Sequence, residues 1–255
     1  MNFSGSLKIY IGPMFSGKTS AILDEYIRFS IGKKKCLYVK YQNDIRYNDS
    51  YTHDKKYQFV TKLSEKCMPN GIKFNEKCCK YLYDIDNIVN NFDVIIIDEV
   101  QFFKDNYIFC EKWANQGLII RAAGLIGTYE RNIFDGMEKL LPKAEEIEVK
   151  QAICEDSGKN AQFTSRIVDK NELFLIGGSE SYKPTNRETY FSLMSDEKKF
   201  IYILEQFDYF KILYQNENKI EINVNYIKLE QHIKDIINKK KTNFNFLEMM
   251  FEFQI

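Results

Sequence analysis

A glycine-rich segment near the beginning of the sequence has the spacing of a phosphate-binding loop. Residues 12–19 read GPMFSGKT and fit the pattern G-x-x-x-x-G-K-[ST] in full. The two glycines let the backbone bend so that successive N–H groups face a phosphate, and the following helix adds its positive N-terminal end. The ammonium of Lys18 can reach the terminal phosphates, and the hydroxyl of Thr19 can bind Mg²⁺. The pattern predicts these ATP-binding residues: Gly12, Pro13, Ser16, Gly17, Lys18 and Thr19.

Two adjacent carboxylates follow a run of four apolar residues further along the chain. Residues 94–97 indicate a strand, and Asp98 and Glu99 come directly after it. Carboxylates at the C-terminal end of a parallel strand face the crevice in which ligands bind. Asp98 therefore suits the Mg²⁺ position, and Glu99 suits a general base that takes a hydroxyl proton while that oxygen attacks the γ-phosphate. Alone, such a pair is equally typical of a solvated turn; the phosphate loop favours the functional interpretation.

The elements that must position these groups alternate between strand-like and helix-like patterns. A strand is predicted at 7–11 before the loop, and a helix with apolar spacing follows at 18–29. Further strands are predicted at 36–39, 94–97 and 118–123. Short apolar strands separated by helices predict a parallel sheet in an α/β fold.

The pattern changes after Pro142. Short strand-like segments at 147–149, 162–165 and 173–176 indicate a small β-rich lobe, and helices are predicted at 200–213 and 227–239. We therefore predict an α/β nucleotide-binding domain over 1–146, a β-rich lobe over 147–191 and a C-terminal extension of unknown role over 192–255.

Composition excludes several classes of protein. The 255 residues include 36 basic and 36 acidic side chains, and this zero net charge argues against a nucleic-acid partner. The six cysteines form no compact disulfide framework, which indicates a reduced, cytoplasmic protein. The longest apolar runs are too short to span a bilayer, and no secretory leader is predicted.

Several motifs together resemble one enzyme family. Besides GPMFSGKT, residues 98–103 read DEVQFF, and further blocks read KY at 40–41, D-x-RY at 44–47, THD at 52–54, GL-x-GTY at 124–129 and IGGS-x-x-Y at 176–182. In this order they resemble the compact P-loop thymidine kinases shared by animals, bacteria and poxviruses, over roughly residues 5 to 191. The resemblance implies a P-loop NTPase-like parallel sheet with a small lobe whose loop covers the nucleoside. It also implies transfer of the γ-phosphate of ATP, with Mg²⁺, to the 5′-hydroxyl of thymidine.

Site residues follow from this resemblance position by position. Glu99 matches the catalytic base for the 5′-hydroxyl. The residues that match the nucleoside site are Asp44 and Arg46 near the sugar and the moving phosphate, Met14 and Thr164 near the thymine methyl group, Phe102, Tyr129 and Phe134 in an aromatic wall, and Tyr182 in the covering loop. The family often forms homotetramers and is often inhibited by thymidine triphosphate, so both properties are expected by resemblance.

The sequence departs from the family at its structural zinc site. The family uses two Cys-x-x-Cys pairs, whereas this chain has Cys154 with Ser157 and Asn186 with Thr189. A structural zinc site needs four Cys or His ligands, so no zinc is predicted. Ile126 also replaces a family aspartate.

Three alternatives to thymidine kinase stay open. Altered lobe residues suggest a deoxynucleoside kinase of shifted base specificity. The phosphate loop alone is compatible with a P-loop ATPase acting on nucleic acid. The changed zinc positions and Ile126 suggest a non-catalytic nucleotide-binding regulator.

Overall fold

The computed structural model describes residues 4–44, 74–168, 177–239 and 244–254. The chain divides into two compact units, Met1–Thr189 and Tyr190–Ile255. Arg46 and the strand predicted at 173–176 lie outside the described residues.

The first unit is built on a six-stranded sheet with the strand order β3-β2-β4-β5-β1-β6. Every neighbouring pair in this sheet is parallel, which confirms the predicted α/β fold. The strands are β1 (Ser6–Ile11), β2 (Cys36–Tyr41), β3 (Glu76–Cys79), β4 (Val94–Ile97), β5 (Ile119–Gly124) and β6 (Glu146–Val149). The sequence did not predict β3, because its residues EKCC carry no apolar pattern.

Helices cover both faces of this sheet. All four residues of β4 are buried, as expected of a strand enclosed on both sides. On one face its side chains join the core of α1 (Lys18–Ile31), which contributes Tyr26. On the other they join the core of α2 (Asn106–Asn115), which contributes Trp113. β1 and β4 lie on either side of β5, and the residue that follows β4 reaches the start of α1 at the same edge of the sheet.

Short strands form the rest of the first unit. Two antiparallel pairs join β7 (Ala152–Ile153) to β8 (Asn160–Ala161), and β9 (Phe163–Arg166) to β10 (Tyr182–Thr185). The sequence pattern predicted residues 147–149 as part of the same lobe. They instead belong to β6, which pairs in parallel with β1 at the edge of the main sheet. Two short helices complete the order, α3 (Met137–Leu140) and α4 (Arg187–Ser192), and the boundary between the units falls within α4.

The second unit contains α5 (Asp196–Asn218), α6 (Tyr226–Asn238) and α7 (Phe246–Glu252). Each helix is preceded by an N-cap residue whose side chain accepts a hydrogen bond from the backbone N–H three residues further on. These N-cap residues are Ser195, Asn225 and Asn245. The three helices share their own apolar core, which includes Ile203, Phe207, Leu229, Ile233 and Met250. The sequence predicted α5 and α6 but not the seven-residue α7. No helix in the described part of the chain is long and apolar enough to cross a membrane.

Candidate active site

The phosphate loop connects β1 to α1 and closes on itself through side-chain bonds. Phe15 and Gly17 adopt left-handed φ angles of 63° and 76°. The Ser16 hydroxyl and the Lys18 ammonium both donate to the Pro13 carbonyl oxygen, at 2.8 Å and 2.7 Å. Lys18 is buried, so its charge is held against the loop.

Glycine is required at the first position of this loop. A Cβ atom at Gly12 would lie 2.4 Å from the carbonyl oxygen of Lys150, which is closer than a carbon atom can approach. The backbone of the loop therefore packs directly on the segment that follows β6.

Asp98 lies at the end of β4 opposite the loop threonine. The Thr19 hydroxyl donates to Asp98 Oδ1 at 3.2 Å, although the two residues are 79 positions apart in the chain. Asp98 Oδ1 also accepts from the Glu99 N–H at 3.0 Å, and Oδ2 accepts from the Tyr38 hydroxyl at 2.8 Å. Oxygen atoms of this kind are the ligands that Mg²⁺ prefers, so Thr19 and Asp98 fit the ion that accompanies ATP.

Glu99 adopts a left-handed backbone conformation, with φ 50° and ψ 46°. Its carboxylate accepts a hydrogen bond of 2.6 Å from the side chain of the buried Gln101. Gln101 belongs to the DEVQFF motif, but the sequence predicted no role for it. Tyr38 was missed as well, because nothing in its local sequence indicates a partner 60 residues away.

The predicted aromatic residues form two groups. The rings of Phe102 and Phe134 meet edge to face with centroids 6.1 Å apart, and Tyr41 lies 5.4 Å from Phe102. The second group is organised by Arg166, which the sequence did not predict as a site residue.

The guanidinium of Arg166 lies 3.9 Å from the centroid of the Tyr129 ring. Its Nη2 donates to the Tyr182 hydroxyl at 2.9 Å. Arg166 therefore brings together the two predicted tyrosines, which are far apart in the chain. No local signal could have identified it, because its role depends on the pairing of β9 with β10.

Two further predicted residues also meet. The Met14 N–H donates to Thr164 Oγ1 at 3.0 Å, and both residues are buried. Asp44 follows β2, and its N–H donates to the Tyr41 carbonyl at 3.0 Å.

The four positions that align with the family's zinc ligands bond to one another. Cys154 Sγ lies 3.5 Å from Thr189 Oγ1, and Asn186 Nδ2 donates to Ser157 Oγ at 3.0 Å. The Thr189 N–H donates to Asn186 Oδ1 at 2.8 Å. One thiol, two hydroxyls and an amide do not match the Cys and His ligands of structural zinc. In the described ranges, no group of three or more His, Cys, Asp or Glu side chains is placed to hold a metal ion.

The Cys154 thiol titrates differently from an ordinary cysteine. Burial acts to raise its pKa, but hydrogen bonds from Ser157, Thr189 and the nearby backbone outweigh that effect and lower the pKa to about 7. The cluster therefore stabilises a thiolate at this position.

A phosphate loop whose threonine meets a strand-end aspartate is the arrangement of P-loop nucleotide-dependent enzymes, and the fold and site place the protein in that class. The family model described as thymidine kinase matches residues 5–190. The chain belongs to the thymidine kinase family.

Individual relatives agree with the family model. The chain is 40% identical to the thymidine kinase of Sheeppox virus (strain KS-1) over 188 residues, which are 73% of this chain and 97% of the relative. It is 38% identical to that of Rabbit fibroma virus (strain Kasza), over 74% of this chain and 98% of the relative. It is 37% identical to thymidine kinase 1 of Dictyostelium discoideum, over 73% of this chain and 78% of the relative. The predicted family and thymidine kinase function are confirmed, and a kinase of this family uses ATP with Mg²⁺.

Proposed function

We propose that this protein transfers the γ-phosphate of ATP to the 5′-hydroxyl of thymidine, with Glu99 as the catalytic base. The observation that carries the assignment is the 3.2 Å contact between Thr19 and Asp98. Since Glu99 is the next residue, its carboxylate belongs to the same end of the sheet as the phosphate loop. A base there can accept the hydroxyl proton as the oxygen attacks the γ-phosphate.

The loop residues from Gly12 to Thr19 bind the ATP phosphates. Lys18 Nζ, which now bonds the Pro13 carbonyl, exchanges that oxygen for a phosphate oxygen when ATP binds. Thr19 and Asp98 hold Mg²⁺, which supplies charge neutralisation on the phosphates when it is bound. Arg46, assigned by resemblance, adds positive charge near the moving phosphoryl group.

The nucleoside site lies between the aromatic groups and the phosphate loop. Phe102 and Phe134 provide flat apolar surface for a pyrimidine, and Tyr129 and Tyr182 extend it. The remaining residues assigned to the nucleoside are Met14 and Thr164 at the thymine methyl group, and Asp44 near the sugar. The lobe formed by β7 to β10 excludes water from the reacting groups, which limits hydrolysis of ATP.

We further propose that the lobe folds without zinc, because Cys154, Ser157, Asn186 and Thr189 bond to one another instead. Incubation with a strong chelator followed by gel filtration should leave the melting temperature and the thymidine KM unchanged. A lower melting temperature or a higher thymidine KM, reversed by zinc, would contradict this assignment. The proposal also includes the tetramer implied by resemblance and a cytoplasmic location. Light scattering on the purified protein tests the tetramer.

The experiment that tests the function measures transfer from ATP to a panel of deoxynucleosides by wild type and Glu99→Gln. Thymidine should be the preferred acceptor, and Glu99→Gln should reduce kcat by roughly a hundredfold or more. Glu138→Gln, a change at an exposed carboxylate in α3, is the matched control and should leave kcat unchanged.

Each alternative gives a different result in the same assay. Preference for another nucleoside would keep the mechanism and change the substrate. ATP hydrolysis stimulated by DNA would support the ATPase. Tight ATP binding without any transfer would support the non-catalytic regulator.

A further inference from the structure

We propose that Gln101 is a positioning residue that fixes the carboxylate of Glu99 for catalysis; the inference rests on the proposed role of Glu99. Gln101 is 5% exposed and makes two side-chain bonds in opposite directions. Its Nε2 donates to Glu99 Oε2 at 2.6 Å, and its Oε1 accepts from the backbone N–H of Leu125 at 3.0 Å. The side chain thus links the segment after β4 to the segment after β5.

The two partners determine which way the Gln101 amide faces. A backbone N–H can only donate, so the amide oxygen must face Leu125. The amide NH₂ group then faces Glu99, and an ionised carboxylate can only accept. A donor bonded to a carboxylate makes a charge-assisted hydrogen bond, which is stronger and shorter than one between neutral groups. The orientation of Gln101 is therefore fixed by its partners, with its donor facing Glu99.

The fold leaves room for this side chain by omitting another. A Cβ atom at Gly124, the last residue of β5, would lie 2.5 Å from Gln101 Oε1 and 2.8 Å from Val100 Cγ1. Because glycine has no side chain, the Gln101 amide can reach the end of β5. The neighbouring ends of β4 and β5 are thereby connected directly behind the catalytic carboxylate.

The backbone of Glu99 explains why such a connection is needed. A left-handed conformation is unfavourable for a residue other than glycine, and surrounding contacts must maintain it. The Glu99 N–H donates to Asp98 Oδ1 at 3.0 Å, and the Glu99 carboxylate accepts from Gln101 Nε2 at Oε2. Both the backbone and the side chain of Glu99 are therefore bonded to neighbours. A carboxylate has about four acceptor positions, so the bond from Gln101 does not by itself prevent Glu99 from accepting the substrate proton.

A double-mutant cycle with Glu99 tests the proposal. Gln101→Met keeps the length of the side chain and removes both bonds. We expect it to lower kcat by about 10- to 100-fold, because a misdirected base loses the alignment that the reaction needs. The KM values for thymidine and ATP should change by less than about twofold, since Gln101 contacts neither substrate in this assignment. In a Glu99→Gln background, the same change should have no further effect on kcat.

Two further variants keep the test decisive if Gln101→Met folds poorly. Gln101→Glu retains an acceptor for the Leu125 N–H but replaces the donor beside Glu99 with a second carboxyl group, and kcat should fall with KM preserved. Gln116→Met, at an exposed glutamine after α2, is the matched control and should behave as wild type.

The outcomes separate the two proposals. An equal loss of kcat from Gln101→Met in both backgrounds, or full activity of Gln101→Glu, would overturn the positioning role and leave the role of Glu99 intact. Full activity of Glu99→Gln by itself would overturn the assignment of the base, and the inference on Gln101 with it.

Discussion

The backbone N–H of Met14 donates a 3.0 Å hydrogen bond to the side-chain oxygen of Thr164, 150 residues further along the chain. Met14 belongs to the phosphate loop, and Thr164 belongs to β9, which pairs with β10. Both residues are buried, so the bond is shielded from bulk water. The lobe that we assign to the nucleoside is thus bonded directly to the loop that we assign to ATP.

Two substitutions at Thr164 distinguish the contribution of its hydroxyl group from that of its methyl group. Thr164→Val keeps the size and the methyl group of threonine but replaces its hydroxyl, and this leaves the buried Met14 N–H without that acceptor, which costs about 1–3 kcal/mol. We expect kcat/KM for ATP to fall by about 5- to 100-fold in Thr164→Val and to stay near wild type in Thr164→Ser. Steady-state kinetics with ATP varied at saturating thymidine measures the difference. Loss of activity in Thr164→Ser with full activity in Thr164→Val would show that the methyl group alone matters.

Gly124→Ala should destabilise the protein and reduce its activity together. The new methyl group would overlap the Gln101 amide and Val100, and overpacking of this kind costs about 1–3 kcal/mol. The free energy of unfolding, measured with urea, and kcat should both decrease. Gly32→Ala is the control, because its Cβ would lie 3.3 Å from the nearest atom, the Phe29 carbonyl oxygen. Equal behaviour of the two variants would argue against close packing at Gly124.

The Cys154 cluster predicts a pH dependence of stability. The thiol has a pKa of about 7 in the folded protein, below its value of 9.0 in a model compound. A group whose pKa is lowered by folding adds stability that is fully present above the unfolded pKa and disappears as the pH falls through the folded one. The free energy of unfolding of wild type, relative to Cys154→Ser, should therefore increase between pH 7 and pH 9.

Urea unfolding under reducing conditions at pH 6.5, 8 and 9 measures this difference. Cys78→Ser is the control. Cys78 is an exposed cysteine, and its pKa is raised by partial desolvation and by the nearby Glu76, so this variant should show no such increase. A difference between wild type and Cys154→Ser that is constant across this range would contradict the prediction.

The second unit has a core of its own, and Phe207 is fully buried in it. Phe207→Ala should lower the stability of this unit by about 3–5 kcal/mol, because it removes a large apolar side chain and leaves a cavity. Hydrogen exchange of the α5 amides measures the loss. Tyr209→Ala, at a side chain that is 64% exposed on the same helix, should change the exchange little. Equal protection in both variants would mean that Phe207 does not stabilise α5.

The sequence alone determined the features that are encoded locally. The spacing of residues 12–19 requires a strand, a tight turn and a helix, and that element order is found. The apolar run at 94–97 predicted β4 with its correct bounds, because a strand buried on both faces needs apolar side chains throughout. The motifs also identified the family. The roles assigned to Glu99 and the substrate-binding residues stay predictions.

Only the tertiary structure decided which distant residues meet. Gln101 bonds both Glu99 and Leu125 because β4 and β5 are neighbouring strands. Arg166 meets Tyr182 because β9 pairs with β10, and its guanidinium also lies over the Tyr129 ring. The tertiary structure also added residues 146–149 to the main sheet, although their sequence carries no sign of the pairing with β1. Such contacts depend on the geometry of sheet pairing and on burial, which form only when the chain is folded. Local composition and spacing therefore indicate the chemistry, whereas the alignment of the reacting groups arises from long-range packing.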